Sequence, residues 1–276
     1  MTDLGDLSWR FVDERAHDGP TNMALDEVTA ETVADGGLAT VRLYRWEPST
    51  LSLGYNQDPA TIDWDYCERE GITVTRRPTG GGAIYHDADG DISYSIVVPG
   101  DAVPGDLLAC YELLCEPILD AFEGMGVDAA FASDERPAVY QPACYLRALH
   151  PAHDVVGPDG RKISGNAQYR QRDAVVQHGS LTFETTPARH CACFTGEPEP
   201  DAFADRVGGI EEYVDRSRSA AVATLRDTLR EWVETTLGGT VTETSWPTEI
   251  SSRARERVSE KFGTESWTRE RTDPTA

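Results

Sequence analysis

Helical and strand-like hydrophobic periods follow one another along this chain without regular alternation, which argues for an α+β fold and against a doubly wound parallel sheet. Thr21 is expected to cap a helix over residues 22–33, with Ala24, Leu25 and Val28 on its inner face. Residues 41–46 read as a strand and 50–57 as a strand and turn. Ile92, Tyr94, Ile96 and Val98 alternate with their neighbours, as in a strand with one face in the core. Asp106 is positioned to cap a helix carrying Leu107, Tyr111, Leu114, Ile118 and Phe122, which Gly124 and Gly126 end. Residues 133–160 lack periodicity and read as a long loop leading into the segment around Lys162. A strand over 175–183, an amphipathic helix over 220–237 and a shorter helix after Ser252 complete the pattern, with no internal repeat.

Composition narrows the classes. The 276 residues and 39% hydrophobic content suffice for one large domain, or a large domain with a small appendage. Asp plus Glu number 48 against 25 Lys plus Arg, giving a net charge of -23. No basic patch stands out, so nucleic acid is not an expected partner. An acidic, lysine-poor surface suits a salt-rich cytoplasm where charge is screened, and a halophilic source, specifically an archaeon, is expected. No apolar run approaches the roughly 20 residues that span a bilayer, and the N-terminus lacks a signal-peptide pattern, so a cytoplasmic, membrane-free protein is expected. The six cysteines have no Cys-x-x-Cys spacing, and Cys191 and Cys193 read as reduced thiols.

Two segments carry chemistry. In Arg76-Arg77-Pro78-Thr79-Gly80-Gly81-Gly82-Ala83-Ile84-Tyr85-His86-Asp87, three glycines let the backbone approach a ligand while two arginines offer donors to an anion. The spacing fits neither the Walker nor the dinucleotide fingerprint, and a glycine-rich hairpin flanked by solvated arginines reads equally well. The second is Gly160-Arg161-Lys162-Ile163-Ser164-Gly165-Asn166-Ala167-Gln168, followed by Gln177-His178-Gly179-Ser180. Lys162 is one of only two lysines, and arginine cannot replace a compact ammonium reaching into a pocket, which marks Lys162 as chemical rather than decorative.

These three motifs in this order resemble the lipoate-protein ligase and octanoyltransferase family, whose shared module is the biotin/lipoate ligase catalytic domain. The resemblance runs from the helix after Asn22 to the Ser266-Trp267 region and lies closest to the ligase A type. It implies a mixed, largely antiparallel sheet flanked by helices, with a catalytic domain over residues 1–245 and a short helical extension over 246–276. It implies transfer of lipoate or octanoate to a lysine of lipoyl domains, such as those of 2-oxoacid dehydrogenases or the glycine-cleavage H protein. In the ligase branch, ATP with Mg2+ forms an acyl-adenylate. Arg76, Arg77, Gly81, Gly82, Ala83, Ile84 and Tyr85 would then hold the nucleotide. Lys162 would contact acyl carbonyl and phosphate, where loss of one such group often costs on the order of 100- to 1,000-fold. Gly165, Asn166, Ala167 and Gly179 would line the acyl site with His86 and His178, although strand histidines are more often structural. Asp154, beside His153 where the ligase branch often has an Asn-Asp pair, would be a weak magnesium ligand.

The transferase branch gives the competing reading, in which the Cys144 thiolate accepts octanoate from an acyl-carrier protein and Lys162 helps depress its pKa. Gly82 and the His86-Asp87 pair tilt the resemblance towards the ligase. A reading of another class is a catalytically silent lipoyl-domain-binding protein. Because the chain stops shortly after Trp267, a separate accessory subunit is a further expected partner of the ligase reading.

Overall fold

Two sheets organise the backbone of the computed structural model, which describes residues 2–149 and 153–275. Strand β1 (Ser8–His17) leads into helix α1 (Gly19–Ala34). The cap of α1 is Asp18, whose carboxylate accepts from the Thr21 N–H, so the helix starts three residues before the expected Asn22 with Pro20 in its first turn. Then come β2 (Ala39–Trp46), β3 (Thr50–Leu53), α2 (Trp64–Arg69), β4 (Thr73–Arg76), β5 (Ile84–His86) and β6 (Asp91–Pro99). Helix α3 (Leu107–Met125) is capped by Asp106 as expected and ends at Gly126, whose φ of 89° is the left-handed conformation glycine adopts without cost. Gly124 lies inside the helix.

The second half holds β7 (Ala130–Phe131), β8 (Asp154–Val156), β9 (Lys162–Gln171) and β10 (Ala174–Thr182), then α4 (Pro187–Ala192), α5 (Pro200–Ala204) and α6 (Arg218–Glu231). Strand β11 (Thr240–Glu243) and helices α7 (Thr248–Arg257) and α8 (Glu265–Glu270) complete it. The large sheet runs β11-β1-β2-β6-β10-β9-β8-β7, parallel only where β1 meets β2 and β11; β4-β3-β5 form a second, small sheet. The architecture is the expected α+β, with a mostly antiparallel sheet flanked by helices.

Strand β6 departs from the one-faced strand its alternation suggested: every residue from Asp91 to Val98 is buried. Ile92, Tyr94, Ile96 and Val98 face α3 and α6, whereas Val97 on the other face packs with Ala30 and Val33 of α1. Each full burial of a side chain such as Ile118 or Phe122 contributes roughly 1.5–3 kcal/mol. Helix α1 is buried nearly all round because α7 covers the side turned from the sheet. Its charged residues are paired on both sides: Asp26 with Arg42 of β2 at 2.8 Å, and, on the side of the C-terminal helices, Glu27 with Lys261 at 2.7 Å and Glu31 with Arg253 at 2.8 Å. The segment expected as a loop before Lys162 contains β7's partner β8, and Lys162 itself begins a strand. No helix among the described residues is long and apolar enough to cross a membrane.

Candidate active site

The small sheet delivers the glycine segment to the edge of the large one, and a cavity of about 500 Å³ opens between them. Met23 of α1, Tyr44 and Trp46 of β2, and Ile84 of β5 form its apolar side. Residues 165–168 of β9 and 178–180 of β10 form another wall, with Lys162 and Asp154, the cross-strand partner of Gly165, beside that glycine, and Cys144 and Arg147 also line the cavity. Of the expected site residues, Arg77, Gly81, Ile84, His86, Cys144, Asp154, Lys162, Gly165, Asn166, Ala167, His178 and Gly179 line this cavity. Arg76, Gly82, Ala83 and Tyr85 do not.

The two arginines act as internal staples. Arg76 is fully buried and donates to the carbonyls of Gly54, Tyr55, Gln57 and Thr268 at 2.8–2.9 Å. Arg77 donates to the carbonyls of Ser52 at 2.7 Å, Gly80 at 2.8 Å and Gly82 at 2.7 Å, and through Nε to Thr79 Oγ1 at 3.0 Å. Arg77 thus spends its donors on the glycine segment and Ser52, whereas Arg76 Nη2 is buried with no hydrogen-bond partner among the described residues. Arg77 thereby closes the glycine segment on itself. His178 extends the same network, with Nε2 3.0 Å from Thr79 Oγ1 and Nδ1 3.3 Å from Asp26, which pairs with Arg42.

The glycine run is fitted to the cysteine loop. Ala83 N–H donates to Pro142 O at 2.7 Å and Cys144 N–H to Ala83 O at 2.8 Å. A Cβ on Gly82 would come within 2.6 Å of Pro142 O and 2.8 Å of the Cys144 nitrogen, both backbone atoms. Gly82 is therefore glycine because the cysteine loop docks against it, a reason independent of any nucleotide. Gly81 has the left-handed φ of 95° that glycine adopts without cost, and a Cβ there would meet Arg77 Nη2 at 2.8 Å, with Cys144 Sγ 4.0 Å away. Cys144 opens a 3₁₀ turn over Cys144–Leu146 and is only partly buried; all six cysteines are free.

Lys162 is 3% exposed, its backbone fixed by Arg206 O at 2.8 Å and Gly208 N at 3.0 Å. Its Nζ lies 2.6 Å from Asp154 Oδ1 and 5.1 Å from the centre of the Tyr145 ring. Burial alone would lower the lysine pKa, but the charges of Asp154 and then Cys144 outweigh it and hold the ammonium protonated above its usual range. Burial likewise opposes the Asp154 carboxylate, and Lys162 overrides it, keeping the acid ionised well below its ordinary value. A carboxylate bound to an ammonium is a poor magnesium ligand, and no group of three or more His, Cys, Asp and Glu among the described residues could hold a metal ion. Asp154, the carboxylate considered for magnesium, is paired with Lys162.

His86 is held on both nitrogens, Nε2 at 2.9 Å from Ser52 Oγ and Nδ1 at 2.6 Å from Asp91, with Trp46 stacked 4.1 Å from its ring. Asp26, Asp91, Ser52 and Arg147 were not singled out from sequence. The one available signal was Asp26, an acid four residues from Asn22 on the inner side of a buried helix.

A cavity built from a docked cysteine loop, a buried lysine–aspartate pair and a glycine segment defines an acyl-handling module, and the chain belongs to the lipoyl protein ligase A/B catalytic domain family, whose model matches residues 18–233. Among its relatives, an octanoyltransferase LipM of Halalkalibacterium halodurans is 34% identical over 64% of this chain and 66% of its own length. Another LipM, from an Exiguobacterium species, is 32% identical over 82% of this chain and 80% of its own. The match thus spans just under two thirds of the first of these relatives. Lipoate-protein ligase A bound with ATP shares the fold at a TM-score of 0.78, with 24% identity over 95% of this chain and 99% of that one. A bi-partite lipoate protein ligase from Thermoplasma acidophilum, solved with its E2 lipoyl domain, gives 0.76, with 24% identity over 96% of each chain.

Proposed function

We propose that the protein is a cysteine-dependent octanoyltransferase that moves octanoate from acyl-carrier protein to a lysine of lipoyl domains. The observation that carries this reading is Cys144 on the cavity wall, on a loop locked to Ala83, within the field of the Lys162 ammonium. The relatives named octanoyltransferase LipM support it.

In the first half-reaction the Cys144 thiolate attacks the carbonyl carbon of the octanoyl thioester, the carbon–sulfur bond to the carrier breaks, and the carrier's sulfur leaves as a thiolate that takes up a proton from solvent. The Lys162 ammonium stabilises negative charge on the carbonyl oxygen as each tetrahedral intermediate forms. In the second, the neutral ε-amine of the target lysine attacks the Cys144 thioester, an amide forms, the amine gives up a proton and the thiolate is released. Met23, Tyr44, Trp46 and Ile84 would hold the alkyl chain. Asp154 keeps Lys162 charged and aimed.

The ligase reading, with ATP and Mg2+ and possible use of an accessory subunit, draws on the fold shared with the ATP-bound ligase. The occupied Arg77 donors and the Asp154–Lys162 pair weigh against it. The test is the mass of a lipoyl domain after incubation with octanoyl-acyl-carrier protein, or with octanoate or lipoate plus ATP and Mg2+. The transferase reading expects an octanoyl shift without ATP, abolished in Cys144→Ala and reduced at least about 100-fold in Lys162→Ala. A shift that requires ATP and survives Cys144→Ala would overturn it in favour of the ligase.

A further inference from the structure

A serine and a histidine of the cavity wall meet an aspartate behind them in an arrangement that the transfer reaction does not use. Ser52 Oγ lies 2.9 Å from His86 Nε2, and His86 Nδ1 lies 2.6 Å from Asp91 Oδ2. Ser52 comes from β3 and His86 from β5 of the small sheet, whereas Asp91 is the first residue of β6 in the large sheet. Their convergence is a product of the tertiary fold. Ser93 donates to Asp91 Oδ2 at 3.0 Å and Ser180 donates to Oδ1, fixing the carboxylate. The Trp46 ring, 15° from parallel, fixes the imidazole plane. Arg77 Nη1, 3.3 Å from Ser52 Oγ, adds a positive charge beside the hydroxyl. Burial, offset in part by Asp91, holds the His86 pKa below the usual histidine value, so the neutral ring can accept a proton at Nε2. Ser52 and His86 both line the cavity.

We infer that Ser52, His86 and Asp91 form a second acyl-accepting centre, giving the protein a hydrolase activity toward medium-length acyl esters and thioesters that enter this cavity. Ser52 Oγ attacks the acyl carbonyl carbon, and its proton passes through His86 Nε2 to the departing thiolate or alkoxide. Water then attacks the serine ester, giving its proton to the same nitrogen, which returns it to Ser52 as the free carboxylic acid leaves. The balance is thioester plus water to acid plus thiol, with no other reactant. Such an activity would clear acyl groups that reach the cavity and find no acceptor lysine. It does not depend on Cys144.

The experiment uses the full chain carrying Cys144→Ala, which removes the other nucleophile, with p-nitrophenyl octanoate as substrate and an octyl fluorophosphonate as covalent probe. The expected result is phosphonylation at Ser52, located by peptide mass. Hydrolysis should fall at least about 100-fold when Ser52→Ala or Asp91→Asn is added, with circular dichroism unchanged. Labelling elsewhere or not at all, or equal hydrolysis with and without Ser52, would overturn the inference and leave the three residues as a bond between the sheets. Failure of the transferase reading registers separately, as lipoyl-domain modification that survives Cys144→Ala.

Discussion

The imidazole of His190 is 1% exposed among Tyr85, Tyr145, Phe194 and Phe203, and burial pushes its pKa down to about 3. The unfolded chain takes up this proton near pH 6.5 and the folded chain does not. Stability from the neutral ring is therefore complete above pH 6.5 and is lost as pH falls towards the folded value, by about 1.4 kcal/mol per pH unit. Denaturant titrations at successive pH values between 7.5 and 5 should show that slope flattened by about this amount in His190→Phe. Gly82→Ala should act on function as well. Its Cβ meets the Pro142 and Cys144 backbone, so the loop must shift: transfer should fall about 100-fold through the displaced nucleophile, and the melting temperature should fall too, by the equivalent of about 1–3 kcal/mol. Lys162 was legible in sequence because lysine is so scarce, and Cys144 because its motif follows a known order. Their surroundings were not legible. That Arg77 binds three carbonyls, or that Asp154 faces Lys162, depends on which loop closes on which strand, and no local pattern encodes that.

At the scale of elements, the C-terminal helices brace Arg76 at the start of the glycine segment, outside the cavity lining. Trp267, at the start of α8, is 2% exposed and donates its indole N–H to the Arg76 carbonyl at 2.8 Å, while Thr268 O accepts from the Arg76 side chain at 2.9 Å. Phe262 and Lys261 pack against the same indole, the ammonium 4.3 Å from its ring. Trp267→Ala should destabilise by roughly 3–5 kcal/mol, measured by urea unfolding, and truncation after residue 245 should cost more. Elements with their own signals were readable, α3 through its Asp106 cap and apolar period, and β6 through its alternation. Strands β1 and β11 were missed because β1 interleaves charged residues, Asp13, Glu14 and Arg15, and β11 has only four residues at the sheet edge. Strand β8 hid in a stretch rich in Pro, Ala and His, since three residues give no period to read.

For the whole molecule, a net charge of -23 sets the conditions under which these elements stay together. Self-repulsion falls as the Debye length shrinks from about 10 Å at 0.1 M to about 3 Å at 1 M salt, so the melting temperature should rise steadily with KCl over that range; a flat response would remove the case for a salt-adapted surface. Both lysines of the chain are internal, Lys162 against Asp154 at 3% exposure and Lys261 between Glu27 and Asp273 at 4%. The solvent-facing surface consequently presents no lysine amine. A protein of the proposed activity handles an acyl group activated for attack by precisely that nucleophile class, and its own exterior is chemically blind to it. Lys162 in the cavity is held as an ammonium and is no nucleophile, so the lysine amine that takes the acyl group belongs to the acceptor domain, and the scarcity of lysine doubles as protection against self-modification.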